Sequence, residues 1–175
     1  MHSIWLMPDS ETRKKLRSLN ENIAGALNSP LFEPHITLIG DIPGDVEQTR
    51  AVCSELFGDF DAGPAKFAEV SLTDAYFMFF FANVSVSADL WAKRKKLANA
   101  LGVEVAAWQP HFSLAYGSGM LEQRKSLSST VEETLGGQGF NISSIQVVTA
   151  SKQEELRHWR SLSQLDLRNK RFTST

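Results

Sequence analysis

The chain has 175 residues, with 18 basic and 20 acidic side chains, a formal net charge of −2, and 42% hydrophobic and 22% charged residues. This composition fits one soluble domain, or two small lobes on a shared core, of a size that buries a core without disulfides. Cys53 is the single cysteine, which excludes an intrachain disulfide scaffold, and the lack of a basic excess argues against a grip on long nucleic acid, which requires displacing many counterions.

Residues 1–8 carry no basic segment and no cleavage site, so a secretory leader is not expected. Ile4 and Leu6 alternate with Trp5 and Met7, as in a short strand with two distinct faces. Pro8-Asp9-Ser10 starts a helix with Asp9 or Ser10 as N-cap, and Leu16, Leu19, Ile23 and Leu27 follow at helical spacing. Pro30 and Pro34 bracket a loop, residues 35–39 read as a strand, and 40–44 (Gly-Asp-Ile-Pro-Gly) read as a turn. Asp45 caps a second helix with an apolar stripe of Val46, Cys53, Leu56 and Phe57.

Strands are expected at 65–73 and 77–86. The second is apolar on both faces, as in the middle of a covered sheet. The longest apolar run, 76–82, is too short to span a bilayer. A helix with Leu90, Leu97, Ala98 and Leu101 inward and the basic run 93–96 largely in water comes next. Residues 111–115 read as a strand, Leu127, Val131 and Leu135 as a helical stripe ended by Gly136-Gly137, and 140–149 and 162–167 as strands. Arg168, Lys170 and Arg171 read as a polar tail. A cytoplasmic protein with no membrane association is expected.

Each half therefore reads strand, helix, His-bearing strand, helix, strand. Pro34-His35-Ile36-Thr37-Leu38 and Pro110-His111-Phe112-Ser113-Leu114 match at Pro, His, hydroxyl and Leu, and His111 follows His35 by 76 residues. A duplicated, pseudo-two-fold α+β fold follows, one domain with halves of roughly 1–75 and 76–167. Residues two apart on a strand share a face, with Cα atoms roughly 6.5 Å apart. His35 and Thr37 thus point one way, as do His111 and Ser113, while Ile36, Leu38, Phe112 and Leu114 point to the helix-covered side. Facing each other across a two-fold axis, the segments would surround one small volume with two imidazoles and two hydroxyls. Such a set suits a phosphodiester. Hydroxyls donate to non-bridging oxygens, one neutral imidazole takes a proton from water, and a protonated one supplies the leaving oxygen. Histidine serves both tasks because its ordinary pKa is near 6.5.

Residues 32–38 (Phe-Glu-Pro-His-Ile-Thr-Leu) and 110–117 (Pro-His-Phe-Ser-Leu-Ala-Tyr-Gly) resemble the paired signatures of the 2H phosphoesterase superfamily, most closely its cyclic phosphodiesterase branch known from plants and fungi. The opening Ile4-Trp5-Leu6-Met7-Pro8 is similar to that branch too, and the resemblance spans nearly the whole chain. It implies a bilobal fold in which two antiparallel sheets line a central cleft, helices lie outside, and the two motifs face each other. It also implies hydrolysis of a nucleoside 2′,3′-cyclic phosphate or of ADP-ribose 1″,2″-cyclic phosphate without a metal or other cofactor. By the same resemblance His111 activates water and His35 protonates the leaving oxygen, with Thr37 and Ser113 as phosphate donors. Tyr116 matches a phosphate-side tyrosine. Strict alternation turns it away from His111, so it joins the site only if the strand ends or bulges near Ala115. The chain has too few cysteines for the disulfides of the plant enzymes, so the redox control that goes with them does not carry over.

Trp5 is a candidate to line the cleft or stack on a base, with a core role as the alternative. Trp108 is expected to pack. Neither His2, placed at a frayed terminus, nor His158, in a charged turn, has the paired spacing of a zinc site. The partner is thus a small cyclic-phosphate nucleotide, bound by a monomer. The rival expectations are an RNA-end enzyme of the 2′–5′ ligase-like kind, a non-catalytic phosphonucleotide-binding module, and a purely structural domain.

Overall fold

The computed structural model describes residues 1–104 and 106–167, and the backbone of 171–174. Along the chain run β1 (His2–Pro8), α1 (Ser10–Leu27), β2 (Ile36–Ile42), α2 (Val46–Phe57), β3 (Pro64–Leu72), β4 (Phe80–Ser85), α3 (Ala88–Ala100), β5 (His111–Ala115), α4 (Leu121–Leu135), β6 (Gly139–Val148), β7 (Ser161–Asp166) and β8 (Arg171–Ser174). The helices start where side chains can satisfy their free N–H groups. Asp9 accepts from the Thr12 amide, Asp45 from that of Glu47, and Ser87 from that of Leu90. Among the described residues no helix is long and apolar enough to cross a membrane.

All pairings are antiparallel, and the order β2-β1-β6-β3-β4-β5 runs through both halves, with β7 and β8 added beyond the later part of β6. The third strand of each sequence half is exchanged: β6 lies on β1, β3 lies on β4, and the two meet each other at residues 64–66 and 139–141. The halves 1–75 and 76–167 repeat in element order, but each sheet draws strands from both. The motif strands β2 and β5 form the two ends of this order, and the curled sheet brings them into contact although they share no ladder.

Helices cross over in the same sense. α1 packs on β5 and α3 on β2. Asn20 of α1 donates to the Leu114 carbonyl, and Arg94 of α3 donates to the Leu38 carbonyl, each at 2.9 Å. These equivalent contacts occupy edge-strand carbonyls that would otherwise lack ladder partners. Ile4, Leu6, Ile36, Leu38, Phe112 and Leu114 join helix residues such as Leu16, Ile23, Leu90 and Leu97 in one core. Trp5 and Met7 lie on the opposite face in a smaller cluster with Val148, Ala150 and Trp159. Cys53 is buried in the main core, which pushes its thiol up to about 12.

Four local expectations are corrected. Residues 40–42 continue β2 rather than turn, because a register shift opposite His2–Ile4 and a positive φ of 53° at Asp41 absorb the Gly-Asp pair. Residues 77 and 78 belong to a single 3-10 turn, Tyr76–Met78, instead of β4. Arg171, read as part of a polar tail, opens β8, whereas Arg168 and Lys170 lie outside the described residues. The run 93–96 is not uniformly wet. Lys93 donates to the Leu56 carbonyl, and Arg94 turns onto β2 and over the Trp108 ring.

Candidate active site

His35 precedes the first residue of β2, and His111 is the first residue of β5. Each imidazole makes the same contact. Nδ1 of His35 lies 2.6 Å from the Glu33 carbonyl, and Nδ1 of His111 lies 2.7 Å from the Gln109 carbonyl. A carbonyl only accepts, so Nδ1 carries the proton in both rings. When the rings are neutral, each Nε2 then has a free lone pair. Both peptide anchors are themselves tied. Glu33 pairs with Arg13 and Arg17, and although burial pushes its carboxyl up, these guanidinium contacts hold it below the usual range. Gln109 donates to Asn83 Oδ1 at 2.7 Å, and Asn83 Nδ2 donates to the Glu69 carbonyl and to Ser71 Oγ.

Burial dominates the electrostatics. Desolvation lowers the His35 pKa to about 4, against the raising effect of the Glu33 carbonyl bond, and the charge of His111 lowers it further. His111 is also lowered by burial, opposed by its bond to Gln109. His35 therefore senses the charge of His111, and burial favours the neutral form of both rings. Trp5 stacks flat on His35, with centroids 3.6 Å apart and planes 10° apart, and fixes that ring from one side. Phe81 packs against His111 at 4.8 Å.

Thr37 is half-buried, lies opposite Trp5 on β1, and makes no side-chain hydrogen bond among the described residues. Its carbonyl accepts from Trp108 Nε1 at 2.9 Å, so Trp108 braces β2 from behind. Ser113 donates to the Phe77 carbonyl at 3.1 Å. β5 ends at Ala115, and its register against β4 slips between Phe80 and Phe81, so alternation fails where Tyr116 needs it to. The Tyr116 hydroxyl then reaches Ser113. Burial raises the Tyr116 pKa, so it remains a neutral hydroxyl. His2 is a buried strand residue bonded to Thr49 Oγ1 at 2.8 Å, not a frayed end, because β1 is paired on both sides. His158 is exposed and 3.8 Å from Glu154. Among the described residues, no three His, Cys, Asp or Glu side chains group as metal ligands.

Several residues at the site carry no strong sequence signal. Trp159 stands edge-on to Trp5 and His35, with centroids 5.8 and 6.4 Å away, and also packs on Phe77 and Tyr116. Arg124 of α4 is buried. It donates to the Thr73 and Phe79 carbonyls at 2.7 Å and lies over the Phe79 ring, clamping the loop that carries Phe77. Arg124 falls at helical spacing with Leu127, Val131 and Leu135 on the inward face of α4, where a charged side chain gives no apolar signal.

A family model described as cyclic phosphodiesterase-like protein matches residues 1–167. The cyclic phosphodiesterase of Arabidopsis thaliana is 20% identical over 172 residues, covering 95% of each chain. Among solved structures, TT0787 of Thermus thermophilus superposes with a TM-score of 0.62 at 15% identity, over 96% of this chain and 98% of the other. E. coli LigT in its apo form gives 0.53 at 12% identity, over 94% and 95%. These two share the fold. With the family match over nearly the whole length, the chain belongs to the cyclic phosphodiesterase-like protein family, and it is a phosphodiesterase.

Proposed function

We propose that this protein hydrolyses a small cyclic phosphate, a nucleoside 2′,3′-cyclic phosphate or ADP-ribose 1″,2″-cyclic phosphate, by acid–base catalysis through His35 and His111 with no metal. The observation that carries this reading is the paired lock on the imidazoles: each Nδ1–H is held by the carbonyl two residues upstream, and each ring keeps Nε2 for proton transfer. One neutral Nε2 takes a proton from water as the oxygen attacks phosphorus. The second imidazole, protonated, gives its proton to the ribose oxygen as the P–O bond breaks, leaving a ribose phosphomonoester. Thr37 and Ser113 donate to the non-bridging oxygens, with Tyr116 reaching them through Ser113.

Burial keeps His35 neutral to lower pH than an ordinary imidazole, while a bound phosphate anion favours the protonated form of either ring. The pair therefore acquires its working proton together with the substrate. The formal net charge of −2 and the enclosed motif strands fit a small ligand held by few groups. The test is turnover of nucleoside 2′,3′-cyclic phosphates by chelator-treated protein, with the product identified by phosphorus NMR. The expected result is a single phosphomonoester formed at an unchanged rate after chelation. Turnover that disappears with chelator and returns with a divalent ion contradicts the metal-free mechanism.

A further inference from the structure

A cavity of about 510 Å³ lies on the sheet beside the site, lined by Trp5, Phe32, Gln146, Trp159 and Gln164 among others. Strand register makes its position clear. Thr37 on β2, Trp5 on β1, Gln146 on β6 and Gln164 on β7 are consecutive cross-strand partners, one row running from the first motif into the cavity. With strands spaced ~4.8 Å apart, Gln146 stands ~9.6 Å along the sheet from Thr37. That span matches the reach from a ribose-bound phosphorus to the far edge of a nucleobase.

The polar groups along this wall are only partly used. Gln146, 6% exposed, donates through Nε2 to Gln164 Oε1 at 2.8 Å. Among the described residues, Gln146 Oε1 and Gln164 Nε2 have no hydrogen-bond partner. Trp159 Nε1–H is buried and likewise unpaired. A buried donor is almost always satisfied, so the unpaired Trp159 indole, together with the solvent-open Gln146 Oε1 and Gln164 Nε2, leaves two donors and an acceptor for a ligand in the cavity to complement. The cavity's cations do not set its character: Arg13 is paired with Glu33, and Arg160 is exposed at the rim.

We propose that Gln146 and Gln164 form a nucleobase subsite that reads the hydrogen-bonding edge of the base. A planar ring with donors and acceptors on one edge and apolar faces suits paired amides beside aromatic walls better than a diphosphate, which is held by several cationic or amide donors together. The inference rests on the cyclic-phosphodiesterase reading above, and it selects nucleoside 2′,3′-cyclic phosphates over ADP-ribose 1″,2″-cyclic phosphate. In the latter, the group next to the reacting ribose is a diphosphate.

The test compares kcat/KM for the four nucleoside 2′,3′-cyclic phosphates with that for 1-O-methylribose 2,3-cyclic phosphate, which has the reacting ring without a base. The wild type is expected to favour one nucleotide at least tenfold over the base-less probe. Gln146→Met and, at the more exposed position, Gln164→Ala are expected to cut that ratio at least tenfold, mainly through KM. Equal turnover of all five probes, or a ratio unmoved in both variants, overturns the subsite and leaves the hydrolytic reading standing. If the wild type turns over none of them, the hydrolytic reading fails, and binding of nucleoside 2′-monophosphates decides the subsite, read by tryptophan fluorescence. Binding weakened at least tenfold in Gln146→Met supports it. No binding, or binding unchanged in both variants, overturns it.

Discussion

Ser113 donates its hydroxyl proton to the Phe77 carbonyl at 3.1 Å, whereas the Thr37 hydroxyl makes no such bond among the described residues. The two motifs match in sequence but differ at rest, because only the second faces the turn Tyr76–Met78. To donate to a phosphate, Ser113 must swing its proton away from Phe77, and Tyr116 stands beside it as a substitute donor. Thr37→Val should therefore lower kcat/KM by ~10²-fold, the usual cost of losing an oxyanion donor. Ser113→Ala should cost less, and steady-state kinetics showing the reverse order would contradict this asymmetry. The imidazoles set the pH dependence. Both are depressed in the free protein, so the singly protonated pair that the proposed mechanism uses is populated below the ordinary histidine pKa. The kcat/KM profile should accordingly decline from below pH 6.5, with kcat persisting to higher pH once bound phosphate raises both groups. A kcat/KM plateau reaching beyond pH 7 would count against it. The placement of His35, Thr37, His111 and Ser113 on two neighbouring strand segments was legible because the motif occurs twice. Trp159 was not, since nothing local marks an aromatic that meets the site only through folding.

Helices and strands whose apolar spacing matched their burial were readable, down to the cap at Asp45 and, between Asp9 and Ser10, the start of α1. The failures sit where backbone geometry departs from pattern: the Gly40-Asp41 irregularity inside β2 and the turn that delays β4 to Phe80. The same turn explains the burial of Arg124. Its guanidinium joins the Thr73 and Phe79 carbonyls, the two ends of the loop that presents Phe77 to Ser113. Removing it takes a donor from both carbonyls, of which that of Phe79 keeps the Thr73 amide at 3.4 Å, so the cost is about 1–3 kcal/mol in all. Arg124→Met should thus lower the urea midpoint and also reduce kcat, by loosening the Ser113 anchor. Arg124→Lys, which restores one donor, should recover part of both. A variant that loses stability but keeps kcat in the surviving folded fraction would show that the clamp is structural only.

At the scale of the molecule, the duplication was visible in element order but the exchange of β3 and β6 was not, because order along a chain does not state which strands pair. The exchange and the curl of the sheet bring its two ends together, burying His35 just before β2 and half-burying His111 at the start of β5. Burial of His35 has a consequence for the whole fold. Its folded pKa, about 4, lies below the unfolded value of 6.5, so the unfolded chain binds the extra proton between them. The stability associated with neutral His35 is fully present above pH 6.5 and is lost as the pH falls towards 4, by about 3 kcal/mol at most. His2 is lowered in the same direction, chiefly by burial. Urea unfolding at successive pH values should show this loss, and it should shrink in His35→Gln. A stability that stays flat from pH 7 to pH 4 would mean that His35 is more hydrated than the fold implies.

Whether His35 and His111 act as one unit is read from kcat for the wild type, His35→Ala, His111→Ala and the double variant on a nucleoside 2′,3′-cyclic phosphate. If the two imidazoles share one proton-transfer cycle, either single loss removes nearly all activity and the double variant is scarcely worse. Single losses that are modest and multiply in the double variant, or activity that survives both, would contradict the two-histidine mechanism.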